Sequence, residues 1–271
     1  MKHKRLFPAS LAAALCVGPS FGCAGTPPET PSPDSSAPHG STVLTTAATG
    51  QPSVLLFSRT TSFRHQSMAA GIAGVTALAQ QSGIGLTGTE DPSQFTDAFL
   101  AGFDAVVFLN TSGDVLEEPG QAAFERYIAA GHGYVGVHAA SDCEYDWPWY
   151  GGLVGAYFTG HSDIVPATLK LEAVTHPALT GLPSPWMRSD EWYGFRTNPR
   201  GQVTVLLTAD ETSFDPGTGS MGADHPIAWF HDYQGGRAFY TALGHTPETF
   251  TEPAFVSHLL GGIRYAAGMA P

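Results

Sequence analysis

Ala105-Val106-Val107-Phe108-Leu109 runs five apolar residues without a polar interruption and then meets Asn110-Thr111-Ser112-Gly113-Asp114. A strand that is apolar on both faces needs cover on both, the condition of a parallel sheet sandwiched between helices. Val54-Leu55-Leu56-Phe57 and Tyr134-Val135-Gly136-Val137 have the same character, and Ile84 to Thr87 reads as another short strand. Between them the period lengthens to that of a helix. Met68, Ile72, Val75, Leu78 and Ala79 share one face over 66–81, and a second helix is predicted from Pro119, placed where proline best opens one, to Ala130. Strands alternating with helices predict an α/β fold with a mainly parallel sheet and helices on both faces. Residues 168–171, 203–207, 227–230 and 238–241 read as later strands, and Pro253 to Ala267 as a last helix. The stretch from 143 to 200 is irregular and rich in aromatics, and reads as long functional loops instead of a second domain.

The first fifty residues do not belong to that pattern. Lys2, Lys4 and Arg5 precede a short apolar run from Leu6 to Val17, which reads as a secretory signal over 1–23. Gly22-Cys23 resembles the end of a bacterial lipobox, which makes Cys23 the expected lipidation site, although Ser20 and Phe21 depart from the usual residues before it. Ordinary cleavage nearby is the alternative. Residues 24–52 are dominated by Pro, Ser, Thr, Ala and Gly, too little apolar surface to fold, and read as a disordered spacer ahead of a domain at 53–268. An exported chain tethered to the membrane only by an N-terminal lipid is the layout expected.

Removing the signal leaves nine Lys and Arg against 24 Asp and Glu. So acidic a surface repels phosphate backbones, and nucleic-acid binding is not expected. Plentiful aromatics with sparse charge suit a hydroxyl-rich, uncharged ligand such as a small carbohydrate. Cys143 is the one cysteine beyond the signal region, so no internal disulfide is expected. A homo-oligomer is compatible with these features.

Ligands of open α/β sheets bind beyond the carboxyl ends of the strands. Here the first strand leads to Phe63-Arg64-His65, the third to Asn110, the fourth to His138-Ala139-Ala140-Ser141-Asp142, and 238–241 to Gly244-His245. Three of these tips carry a histidine, and the topology would bring them to one edge of the sheet.

Several segments give a specific resemblance. Gly131 to Asp142, Trp147 to Phe158, Thr175 to Leu182, Asp190-Glu191-Trp192-Tyr193, Pro226 to His231 and Gly235 to His245 are similar to the ThuA-like (trehalose utilisation) proteins over roughly 53–268. The resemblance implies a flavodoxin-like sheet related to class I glutamine amidotransferases. It also implies a role in sugar metabolism, with isomerisation, elimination or hydrolysis of a keto-disaccharide as the chemistry. Amidotransferase activity itself is not expected, because His138 stands in the turn where those enzymes place a nucleophilic cysteine.

Two chemistries fit the histidines. In one, His138 and His245 act as general acid and base, with Asp142 orienting His138 from one helical turn away. In the other, His65, His138, His161 and His245 ligate a divalent metal that polarises a sugar oxygen, with Asp142, Asp190 or Glu191 as carboxylate ligands. Arg64, His65, Trp147, Glu191 and Tyr193 are expected to bind substrate. A non-catalytic sugar-binding or protein-interaction lipoprotein remains the alternative to an enzyme.

Overall fold

A computed structural model describes residues 44–45 and 50–269. The expected signal, Cys23 and most of the 24–52 spacer lie outside the described residues. In chain order the elements are β1 (Leu44–Thr45), β2 (Ser53–Phe57), α1 (Met68–Ser82), β3 (Gly85–Thr89), α2 (Asp97–Leu100), β4 (Ala105–Leu109) and α3 (Glu118–Ala129). They continue as β5 (Gly133–Val137), α4 (Pro148–Val154), β6 (Phe158–Leu171), β7 (Trp186–Phe195), β8 (Thr204–Ala209), β9 (His225–Tyr233), β10 (Gly236–Thr241) and α5 (Pro253–Ala266).

All the strands join one sheet in the order β1-β3-β2-β4-β5-β10-β9-β8-β6-β7. Within it, β3-β2-β4-β5-β10 is parallel and has the flavodoxin-like order, with every residue of β4 and β5 buried. From β10 onward the pairing reverses: β9, β8, β6 and β7 are each antiparallel to their neighbours, as is β1 to β3. The sheet is therefore mostly antiparallel, which corrects the mainly parallel sheet expected from the alternation. The reason is in the connections. Gln234 and Gly235, both with positive φ (47° and 104°), join β9 to β10, and a two-residue loop can link only antiparallel neighbours.

The region expected to be loops is another correction. Residues 158–171 and 186–195 form a long hairpin, β6–β7, with register shifts between Phe158 and Gly160 and between His161 and Ile164. Those bulges, Pro166 and the partial exposure of β6 break the two-residue alternation that would reveal a strand.

Helices cover both faces of the parallel half. Phe108 packs its ring on Phe124 of α3 (5.3 Å between centroids) and on Tyr150 of α4 (5.7 Å). Its neighbour Leu109 points the other way and meets α1 at Gly71. On that second face Phe239 of β10 lies against Gly262 of α5, and Phe250 bridges α1 at Gly74 to Phe255 of α5.

Candidate functional site

The chain turns sharply where β4 and β5 end. Asn110 and His138 are the first residues beyond them, and both take the left-handed conformation (φ 47° and 50°). Asn tolerates that region better than most residues, whereas a buried His pays for it in strain. Asn110 is fully buried and donates to Ser67 Oγ (2.9 Å), which in turn donates to the Gly244 carbonyl (3.0 Å). These contacts tie together the loops after β2, β4 and β10.

On this platform the structure brings together three of the predicted histidines. The ring of His65 lies edge-on to those of His138 and His245, with centroids 4.7 and 5.1 Å away. His138 Nε2 is 3.3 Å from His245 Nδ1. Glu191, from the middle of β7, completes the group: its Oε2 is 3.0 Å from His245 Nδ1 and 3.6 Å from His138 Nε2. One donor atom from each of His65, His138, Glu191 and His245 lies within 4.8 Å of all the others, close enough to share a metal ion. His161, expected among the ligands, is outside this group. It is half exposed in the β6 bulge and bonds the Ser162 carbonyl, with Nδ1 3.1 Å from Glu191 Oε1.

Electrostatics follow burial. His65 is pushed down to about 2, first by burial and then by His138 and His245, so its ring stays neutral across the ordinary pH range. Burial pushes the Glu191 carboxyl up, but hydrogen bonds and charge from His138 and His245 outweigh it and hold the group below the usual carboxylate range. Tyr193 stacks on His138 at 4.2 Å and is fully buried, which raises its phenol well above the ordinary value.

Two supporting contacts were not foreseen. The expected orientation of His138 by Asp142 is replaced: Nδ1 of His138 donates to the Ala242 carbonyl at 2.7 Å. Asp142 instead accepts from Tyr145 (2.8 Å), and burial, its largest influence, raises its pKa despite that bond. The second is Asp190, completely buried beside Glu191. It accepts the backbone N–H groups of Gly244 (3.0 Å), His245 (3.1 Å) and Glu191 (3.0 Å) and faces Arg188 at 3.1 Å. Asp190 therefore clamps the loop that presents His245 onto the strand that presents Glu191. Its place in Asp190-Glu191-Trp192-Tyr193 marks the segment as unusual, but nothing in the sequence says which backbone it grips.

The other expected substrate-binding residues are dispersed. Arg64 forms an ion pair with Glu90 (2.7 Å) on the exposed loop ahead of His65. Trp147 belongs to the aromatic layer of α4, stacked on Trp149 and Tyr150 and donating to Glu125 (3.0 Å). Cys143 is a buried free thiol in the core.

The fold is similar to that of several proteins of known structure. A ThuA-like protein from Bacteroides uniformis matches with a TM-score of 0.68 at 23% identity, covering 81% of this chain and 93% of that one. One from Parabacteroides merdae matches with a TM-score of 0.68 at 22% identity, covering 81% and 91%. A β-galactosidase from Bacillus circulans shares the fold over 32% of its own length and 82% of this chain (TM-score 0.54, 12% identity). No curated protein sequence matches the chain. The model of the ThuA, trehalose utilisation, family matches residues 53–266, most of the chain and all of the segment that builds the site, and the chain belongs to that family.

Proposed function

We propose that this chain is an exported enzyme of trehalose utilisation that acts on a keto-disaccharide related to trehalose by isomerisation, elimination or hydrolysis. The observation that carries the reading is the convergence of His65, His138, His245 and Glu191 at the carboxyl edge of the sheet. A cluster of this kind serves no packing purpose, since three buried polar groups and a partly buried His245 cost desolvation that apolar side chains would avoid. Under this reading the cluster binds and polarises a sugar oxygen. Asp142, half-buried and raised in pKa, carries the proton that is withdrawn beside the carbonyl or delivered to the departing glycosidic oxygen. The exposed ring of Phe63, edge-on to His65, suits a pyranose ring, while Tyr193 backs His138 from the buried side. Acylation of Cys23 would hold the domain at the membrane.

Incubating the purified full-length chain with trehalose and with its 3-keto derivative, followed by mass spectrometry, tests the reaction. New products that disappear in His138→Ala are expected. Calorimetric binding of the sugar without conversion would make the chain a sugar-binding lipoprotein, and neither binding nor conversion would remove the carbohydrate. Labelling with a fatty acid, lost in Cys23→Ala, tests the anchor.

A further inference from the structure

We infer that His65, His138, His245 and Glu191 together hold one divalent first-row transition-metal ion. The inference rests on reading this cluster as the reacting centre, but its test needs no substrate.

The hydrogen-bond inventory of the four side chains supports it. The Ala242 carbonyl can only accept, so the Nδ1 of His138 at 2.7 Å must carry the proton. In the neutral ring Nε2 then bears a lone pair, and that lone pair points at His245 Nδ1 and the Glu191 carboxylate, 3.3 and 3.6 Å away. A backbone carbonyl on one ring nitrogen with the other turned to a carboxylate and a second imidazole is how metal-ligating histidines are oriented.

A proton on His245 Nδ1 would serve both Glu191 and His138. It would leave His65 unexplained. His65 is only 5% exposed, and its Nδ1 is buried without a hydrogen-bond partner among the described residues. A buried imidazole nitrogen with no partner keeps the full penalty of leaving water. One of the two ring nitrogens of His65 lies within 4.8 Å of a donor atom of each of the other three side chains. A cation shared by all four would give His65 a partner and compensate the buried carboxylate at the same time.

The surroundings fix the donors from outside. Asp190 holds the His245 backbone, His161 Nδ1 sits 3.1 Å from the second oxygen of Glu191, and Phe63 packs edge-on to His65 at 4.8 Å. Three nitrogens and one oxygen exclude a preference for calcium or magnesium, which take oxygen ligands, and suit zinc, manganese, iron, cobalt or nickel. An ion that takes more than four ligands keeps positions for adjacent sugar oxygens.

The test is metal analysis of the full-length chain after exhaustive chelation, reloaded in turn with zinc, manganese and cobalt. About one equivalent per chain is expected. Affinity should fall by about 10-fold or more in His65→Ala and Glu191→Gln, and by less in His161→Ala, which removes only an outer support of Glu191. A wild type that retains no metal overturns the inference, as does metal retained undiminished in His65→Ala. Should the variants fail to fold, the cobalt-loaded wild type answers the same question. Paramagnetically shifted, exchangeable imidazole N–H signals from three histidines support the site, and fewer than three overturn it. Failure of the two readings is separable: a bound metal with no sugar conversion sinks only the carbohydrate, and sugar conversion that survives complete metal removal sinks only the metal.

Discussion

The two halves of the sheet contribute to the site in different ways. The parallel half supplies His65, His138 and His245 from loops just beyond strand ends, where the backbone can turn sharply, as at His138 (φ 50°). The antiparallel half supplies Glu191, Asp190 and Tyr193 from the interior of β7, five strands away from β5 in hydrogen-bonding order. The bulged β6–β7 hairpin folds back so that these residues reach the loops after β5 and β10. Loop tips aim side chains, and strand interiors hold them rigid. A site drawing on both has adjustable donors on one side and a fixed wall on the other.

Breaking the junction between the halves should have the largest effect. Asp190→Ala removes the acceptor of three backbone N–H groups and leaves Arg188, almost wholly buried, without its nearest carboxylate. A loss of about 3–5 kcal/mol in urea denaturation is expected, with Asp190→Asn milder. A loss of Asp190→Ala below about 1 kcal/mol would mean the clamp holds nothing.

Packing within each half can be compared with one substitution in each. A Cβ at Gly194 of β7 would lie 2.4 Å from the Gly219 carbonyl oxygen, and one at Gly262 of α5 would lie 2.4 Å from the Phe239 ring. Both alanine variants should lose about 1–3 kcal/mol. Gly194→Ala should lose more, because backbone cannot rotate aside as a ring can, and it should also disturb the neighbouring Tyr193 stack on His138. Equal melting temperatures for the two variants would contradict this.

Acid should weaken the fold through histidines on both sides. Burial holds His65 at about 2 and His176 and His258 each at about 4, so the folded chain keeps them neutral while the unfolded chain protonates them below 6.5. The unfolded state then binds more protons, and stability falls as pH drops from 6.5 towards 4. Glu191, held low, adds loss in the same direction below its ordinary value. The urea midpoint should fall between pH 7 and pH 5, less steeply in His258→Phe. A midpoint that rises on acidification would contradict neutral burial.

The smallest effect belongs to the rim. Phe63 is 53% exposed, so Phe63→Ser should change stability by no more than about 0.5 kcal/mol. Under the proposed function it should weaken sugar binding in calorimetry; unchanged binding would remove Phe63 from the sugar subsite.

Much of the parallel half was legible in the sequence. Val54 to Phe57, Ala105 to Leu109 and Tyr134 to Val137 are apolar throughout because they are covered on both faces, and the structure places β2, β4 and β5 there. Their polar followers marked the strand tips. The hairpin was not legible, because β6 alternates exposed and buried residues irregularly through its bulges. The ligand-like set was legible only in part: the sequence offered His161 with Asp142, Asp190 or Glu191, and the folding back of β7 is what puts Glu191 in the group.

The sequence by itself determined the alternation that makes a sheet with covered faces, the family, and the strand tips that carry His65, His138 and His245. Those are properties of local pattern, set by burial on one or both sides of a short segment. Only the tertiary structure decided that the sheet is mostly antiparallel, that Asp190 clamps the His245 loop, and that Glu191 joins the histidines. The Asp190 and Glu191 contacts join residues more than fifty positions apart, and local periodicity carries no information about them.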